Sequence, residues 1–112
     1  MCDIIEVNGK KYRAVEERDG EYVIVRTYSS GVFAGYLEKR VGKEGTIRNA
    51  RRLWYWSGAA SLSELAVRGV SKPDECKFPC EVDKIDVTEI IEVLYCTSEA
   101  KKSIANVKEW KA

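Results

Sequence analysis

Between Tyr22 and Trp56 the chain runs through three β-prone segments separated only by short glycine-bearing breaks, Ser29-Ser30-Gly31 and Gly42-Lys43-Glu44-Gly45. Breaks this short cannot carry a crossover, so consecutive segments must return antiparallel, as a three-stranded meander over 22–56. The first segment, Tyr22-Val23-Ile24-Val25-Arg26-Thr27-Tyr28, is rich in β-branched and aromatic residues and reads as a central strand. Its nearly unbroken apolar run predicts burial on both sides. The second, Val32 to Arg40, carries Gly35 in its middle, where a strand glycine marks a bulge or the close approach of another backbone. The third, Thr46 to Trp56, leads into Ser57-Gly58.

Read with a period of two, the third segment puts Ile47, Asn49, Arg51, Leu53 and Tyr55 on one face. Thr46, Arg48, Ala50, Arg52, Trp54 and Trp56 fall on the other. Ile47 and Leu53 suit a core, which predicts that Arg48, Arg52, Trp54 and Trp56 line up outward, with Arg26 and Tyr28 on a neighbouring strand. Indole rings beside guanidinium groups can stack on a planar ligand and neutralise an anion, each contact contributing roughly 0.5–2 kcal/mol. These six residues are the candidate ligand-binding set. The competing reading is that Trp54 and Trp56 cover an apolar layer while the arginines snorkel to water.

The flanking segments fill out an α+β fold, mainly antiparallel β-sheet in a meander of about five to seven strands, with two short helices. Asn8-Gly9 between Ile4–Val7 and Lys11–Val15 is a hairpin signal, and Asp19-Gly20 a second turn. Ser61 with Glu64 forms a capping box opening a helix that Gly69 can end. The two prolines sit in a loop from Ser71 to Pro79. Glu81 to Asp86 reads as extended and Ile90 to Cys96 as a strand. A last helix is expected over Glu99–Val107, capped by Thr97 or Ser98, with Trp110 docking it on the sheet. The 112 residues are expected to form a single domain, with 1–20 as an added N-terminal hairpin.

Charge narrows the function. Lys and Arg number 19 against 18 Asp and Glu, a net charge of +1, too balanced for a general nucleic-acid coat. The chain has no histidine, which removes Ser-His-Asp and Cys-His nucleophiles and the commonest general base. Glu89 and Glu92 are expected to lie on a solvated face, and Ser29-Ser30-Gly31 lacks the lysine of a phosphate loop. The spacing of Cys76 and Cys80 is not that of a zinc knuckle, so Cys2, Cys76, Cys80 and Cys96 are expected to be free thiols in a reducing compartment. No metal or cofactor is expected, and the expectation is a non-enzymatic protein. No apolar run of ~18 residues is present, so no membrane association is expected, and Met1-Cys2-Asp3-Ile4 lacks the pattern of a secretory signal. The expected location is the cytoplasm.

Ile24-Val25-Arg26-Thr27-Tyr28-Ser29-Ser30-Gly31-Val32, followed by the run from Asn49 to Leu62 (Asn-Ala-Arg-Arg-Leu-Trp-Tyr-Trp-Ser-Gly-Ala-Ala-Ser-Leu), resembles a family of small proteins encoded by tailed phages and prophages. The likeness continues through Gly69-Val70, Cys76-Lys77-Phe78 and Ala105 to Trp110. It covers roughly residues 22–111, leaves the first twenty outside, and finds Ser30 where alanine is expected. The resemblance brings no activity with it. It implies an accessory protein acting in the host bacterial cytoplasm by binding. Three readings follow: sequestration of an anionic nucleotide-type ligand as a counter-defence; a protein–protein module, inhibiting a host protein or forming a homo-oligomer, with the tryptophans as anchors; and single-stranded nucleic-acid binding, which the near-neutral charge disfavours.

Overall fold

The structure, a computed structural model, describes residues 21–111; the hairpin expected around Asn8-Gly9, the turn at Asp19-Gly20 and Cys2 lie outside them. Five strands and two helices follow one another: β1 (Tyr22–Thr27), β2 (Val32–Val41), β3 (Glu44–Arg52), α1 (Leu62–Arg68), a 3-10 turn (Pro73–Glu75), β4 (Glu81–Val87), β5 (Ile90–Tyr95) and α2 (Ser98–Ala105). The strands form one sheet in the order β4-β3-β2-β1-β5, every neighbouring pair antiparallel. The fold is α+β, built on the expected meander β1-β2-β3.

That order sets a geometric problem. β4 and β5 are the two edges of the sheet, yet only Thr88 and Glu89 join them. In a flat sheet the edges would stand four spacings of ~4.8 Å, about 19 Å, apart. The three peptide steps from Val87 to Ile90 reach about 10 Å at most. The sheet must therefore curl until the two edges meet at one corner. Three register slips supply the bend, since a bulge adds a residue to one strand and sharpens its twist. In β3, Asn49 and Ala50 together oppose Gly35; in β2 the slip falls at Glu38, and in β5 at Ile91. Asn49 takes φ +52°, the left-handed region that asparagine tolerates better than most side chains. At the closed corner the Tyr28 amide donates to Glu89 O (3.0 Å) and the Ile90 amide to Lys43 O (2.9 Å).

Curling gives the sheet two buried faces. Val23, Val25, Phe33, Ile47, Ala50, Val87 and Ile90 pack on the concave side. Ile24, Ala34 and Leu53 pack on the other side with Leu65 and Ala66 of α1, Ile104 of α2, Phe78 and Val107. The run Val23-Ile24-Val25 is thus buried on both sides, as its composition predicts. Gly35 answers to close approach: a Cβ there would stand 2.6 Å from Ile47 Cγ2, 2.8 Å from Arg48 O and 3.1 Å from Ala50 Cα.

The helices start where the caps predict. Ser61 Oγ accepts from the Glu64 amide (3.3 Å) while Glu64 Oε1 accepts from the Ala60 amide (2.8 Å). Gly69 closes α1, and Thr97 caps α2 through the Ala100 amide (3.0 Å). Two expectations need correction. The third strand ends at Arg52, not Trp56; beyond Leu53, whose amide donates to Val32 O (2.8 Å), only Tyr55 makes a ladder contact, an isolated bridge to Lys77. Trp110 does not dock α2 on the sheet; its amide donates to Phe78 O (2.9 Å) and its ring lies beside Lys77.

Arg51 ties the helix layer to the sheet. Only 8% exposed, it donates from Nε to Pro79 O (3.1 Å), from Nη1 to Ile104 O (2.9 Å) and from Nη2 to Phe78 O (3.3 Å). One planar fork thereby satisfies carbonyls from the loop before β4 and from the end of α2. Replacing it leaves those acceptors desolvated and unpaired, so Arg51→Met is expected to lower the unfolding free energy by about 3 kcal/mol. Arg51→Lys should recover less than half of that, because an ammonium cannot reproduce the fork; urea unfolding of the three proteins checks both. Gly35→Ala is expected to cost roughly 2 kcal/mol by overpacking, read in the same titration, because two of the atoms it meets are backbone.

Candidate functional site

The bulge at Asn49 and Ala50 decides where the candidate binding residues go. Residues directly opposite in a ladder share a face. Arg48 pairs with Tyr36 and so projects on the helix-layer side; Arg52, past the bulge, pairs with Phe33 and projects on the concave side. The extra residue reverses the alternation, and the two arginines expected together stand on opposite faces. The guanidinium of Arg52 lies 4.6 Å from the centroid of the Phe33 ring. Arg26 is held by Glu92, Nε to Oε1 at 2.8 Å, so its charge is answered within the ladder. Tyr28 is 77% exposed at the closed corner, beside Lys43, Glu89 and Ile91. Trp54 is 64% exposed, whereas Trp56 is half-buried against the helix-layer core. The six residues do not form one surface. In Ser29-Ser30-Gly31 the Ser30 amide donates to Thr27 Oγ1 (3.0 Å) and Gly31 O accepts from the Thr27 amide (3.0 Å).

Two other features have the geometry of sites. The first is an aromatic surface around Lys77. The antiparallel bridge between Tyr55 and Lys77 is made by reciprocal amide bonds of 3.2 and 2.7 Å. It places the Lys77 ammonium 6.0 Å from the Tyr55 ring centroid and 5.6 Å from that of Trp110. Tyr55 is 52% and Trp110 38% exposed. Trp54 adjoins Tyr55 in the chain. Both rings are fixed by backbone pairing to one strand-like segment, Lys77-Phe78, with buried Phe78 as its root.

The second is a cleft of about 550 Å³ between the helix-layer face of the sheet and α2 with the segment after it. Tyr22, Tyr36, Asn49, Arg51, Glu81 and Lys101 line it, with Ala105, Val107 and Glu109 beyond. Tyr22 and Tyr36 are ladder partners, packed edge to face with centroids 5.2 Å apart. The Lys101 ammonium sits 4.7 Å from the Tyr36 ring and 5.8 Å from that of Tyr22. Asn49 Nδ2 donates to Glu81 Oε1 at 3.5 Å. Burial raises the Tyr22 phenol well above its ordinary range, with Cys96 and Tyr36 adding to the effect. Burial also pushes the neighbouring Cys96 thiol up to about 11. The same loss of solvent lowers Arg51, opposed by the nearby Tyr22 and Glu81. Burial at the Tyr22 end of the cleft thus disfavours the charged phenolate.

Sequence reasoning missed Tyr22, Tyr36 and Lys101. A signal existed: a hairpin centred on Ser29 pairs residues whose numbers sum to 58, which sets Tyr22 opposite Tyr36. The placement of Lys101 has no local signal, since it depends on how α2 docks.

Among the described residues no group of three or more Cys, Asp and Glu could hold a metal ion, and no helix is long and apolar enough to cross a membrane. Cys76 is buried, its thiol within reach of Ser57 O (3.7 Å) and Lys72 O (3.5 Å); Cys80 is exposed. Glu92 is engaged with Arg26, and Glu89 accepts from Ser29 Oγ at 3.4 Å.

No curated protein and no solved structure matches the chain. A family model does match, that of a domain of unknown function, DUF6948, over residues 20–104. This span takes in the whole sheet, α1 and most of α2, so the chain belongs to the DUF6948 family.

Proposed function

We propose that the protein is a non-enzymatic binding module that docks a protein partner through the surface formed by Tyr55, Lys77 and Trp110. The observation that carries this reading is the exposure of large aromatics seated on paired backbone: Tyr55 at 52% and Trp110 at 38%. Exposed aromatic area held in a fixed orientation costs little conformational entropy to bury, which is why Trp and Tyr dominate binding hot spots. Lys77, lying between two of the rings, supplies a cation that a partner carboxylate can meet at the rim. The resemblance to tailed-phage and prophage proteins supports an accessory role in a bacterial cytoplasm, with a host protein as the partner. Occupying a host defence factor is the form of that role that an exposed aromatic surface favours. Sequestration of a nucleotide-type ligand has its support elsewhere, in the cleft under α2.

Immobilised protein is expected to retain a discrete bacterial protein from lysate, and the Tyr55→Ala/Trp110→Ala variant to lose at least ten-fold of that retention. Ten-fold is about 1.4 kcal/mol, the size expected for removing anchors. Sedimentation of the free protein over a hundred-fold concentration range separates a host partner from a second copy of the chain. Equal retention by both proteins, with no concentration-dependent association, overturns the reading.

A further inference from the structure

We infer that the cleft under α2 is a binding site for a guanine base, read by Asn49 and Glu81 and stacked against Tyr36. The reading is independent of the docking surface. Three observations carry it.

The first is charge balance. The cleft is lined by two cations, Arg51 and Lys101, and two carboxylates, Glu81 and Glu109. Arg51 has already placed three donors on backbone carbonyls, so it shapes the floor more than it offers hydrogen bonds. A site built to hold a triphosphate needs a surplus of free cationic donors; here the lining sums to zero. The ligand this lining fits is a planar molecule whose recognition does not depend on phosphate. At about 550 Å³ the cleft is of the size that takes a small ligand.

The second is the aromatic wall. Lys101 lies over the Tyr36 ring at 4.7 Å in the empty cleft. Lys101 hangs on α2 by a flexible stem and can swing aside, which uncovers the ring for a base while leaving the ammonium at its rim. Tyr22, half-buried beside Tyr36 as its ladder partner and edge-on to its ring, helps to fix the plane of that wall.

The third is the polar edge. Asn49 Nδ2 donates to Glu81 Oε1 at 3.5 Å, so the cleft's edge offers the second amide hydrogen of Asn49 beside a carboxylate that has acceptor capacity to spare. The Watson–Crick edge of guanine presents the complement in order: O6 as acceptor, then N1–H and the N2 amino group as donors. Adenine presents an amino donor followed by a bare ring nitrogen, which would set a donor against the Asn49 amide and an acceptor against the Glu81 carboxylate. Asn49 is half-buried and Glu81 exposed, so the mismatch discriminates through lost and opposed hydrogen bonds at the cleft's edge. Asn49 is placed for this by the bulge itself, its left-handed backbone turning the side chain out of the regular alternation.

Isothermal titration of the full chain with guanosine, GMP, GTP, adenosine and inosine tests the inference. Guanosine, GMP and GTP are expected to bind within about three-fold of one another, inosine roughly ten-fold more weakly for its missing amino group, and adenosine at least ten-fold more weakly again. Glu81→Gln and Asn49→Asp, each checked by circular dichroism for an intact fold, should each weaken guanosine at least ten-fold. Asp keeps the left-handed tolerance of Asn49 while reversing the polarity of the edge. Tyr36→Leu should weaken every base alike. No heat with guanosine at millimolar ligand, adenosine equal to guanosine, or GTP more than ten-fold tighter than guanosine overturns the assignment. So does guanosine binding unchanged in both edge variants. Host-protein retention by Glu81→Gln is expected to equal that of the parent, so loss of the base site and loss of the docking surface are told apart.

Discussion

The constraint from which the rest of this structure follows is that the two edge strands of its sheet are joined by Thr88 and Glu89 alone. The connection is shorter than the width of the sheet it spans by about a factor of two, and only curvature removes the discrepancy. Curvature in turn requires the bulges, and the bulges fix which side chains face which way. It also explains the composition of β1. An interior strand of a curled sheet has here a concave face filled by Val23 and Val25 and a convex face covered by the helices over Ile24, so its sequence cannot alternate between apolar and polar.

The sequence discloses the elements of this fold better than their faces. Short glycine breaks set the meander, Ser61 with Glu64 sets the start of α1, and Thr97 sets that of α2, because turns and caps are local chemistry. The third strand is a different case. A period of two applied from Thr46 to Trp56 assumes that the alternation never slips, and one extra residue at Asn49 and Ala50 reverses it for everything beyond. Asn49 and Gly35 are the residues that make the slip possible, but they signal it only as a pair, and their pairing depends on register across two strands. The same distance between cause and clue hides the cleft. Tyr22 and Tyr36 could be matched from the loop between them, whereas Lys101, Glu81 and Val107 arrive from elements packed later.

The cationic-aromatic grouping expected on one ribbon is resolved into parts with different uses. Arg51, which the alternation put among core-facing residues, is the buried clamp; Arg26 is balanced by Glu92; Arg52 caps the Phe33 ring. Trp56 fills the helix layer while Trp54 stays in solvent. Aromatics therefore divide by what lies beneath them, not by type: on the segment past Arg52, Trp56 packs against the helix-layer core whereas Trp54 and Tyr55 stay exposed.

The clamp at Arg51 links the two proposed surfaces. Its guanidinium packs 5.5 Å from the Phe78 ring centroid and bonds the Phe78 carbonyl. Phe78 in turn accepts from the Trp110 amide and pairs with Glu109. Glu109 lines the cleft and Trp110, the next residue, stands on the aromatic surface. Neighbours along an extended segment point to opposite sides, so one short stretch of chain, seated on one buried ring, presents a carboxylate to the cleft and an indole to solvent. The Trp110 ring and the Glu109 carboxylate are thus both carried by a segment paired with the backbone of Phe78, whose ring packs in the helix-layer core and against Arg51.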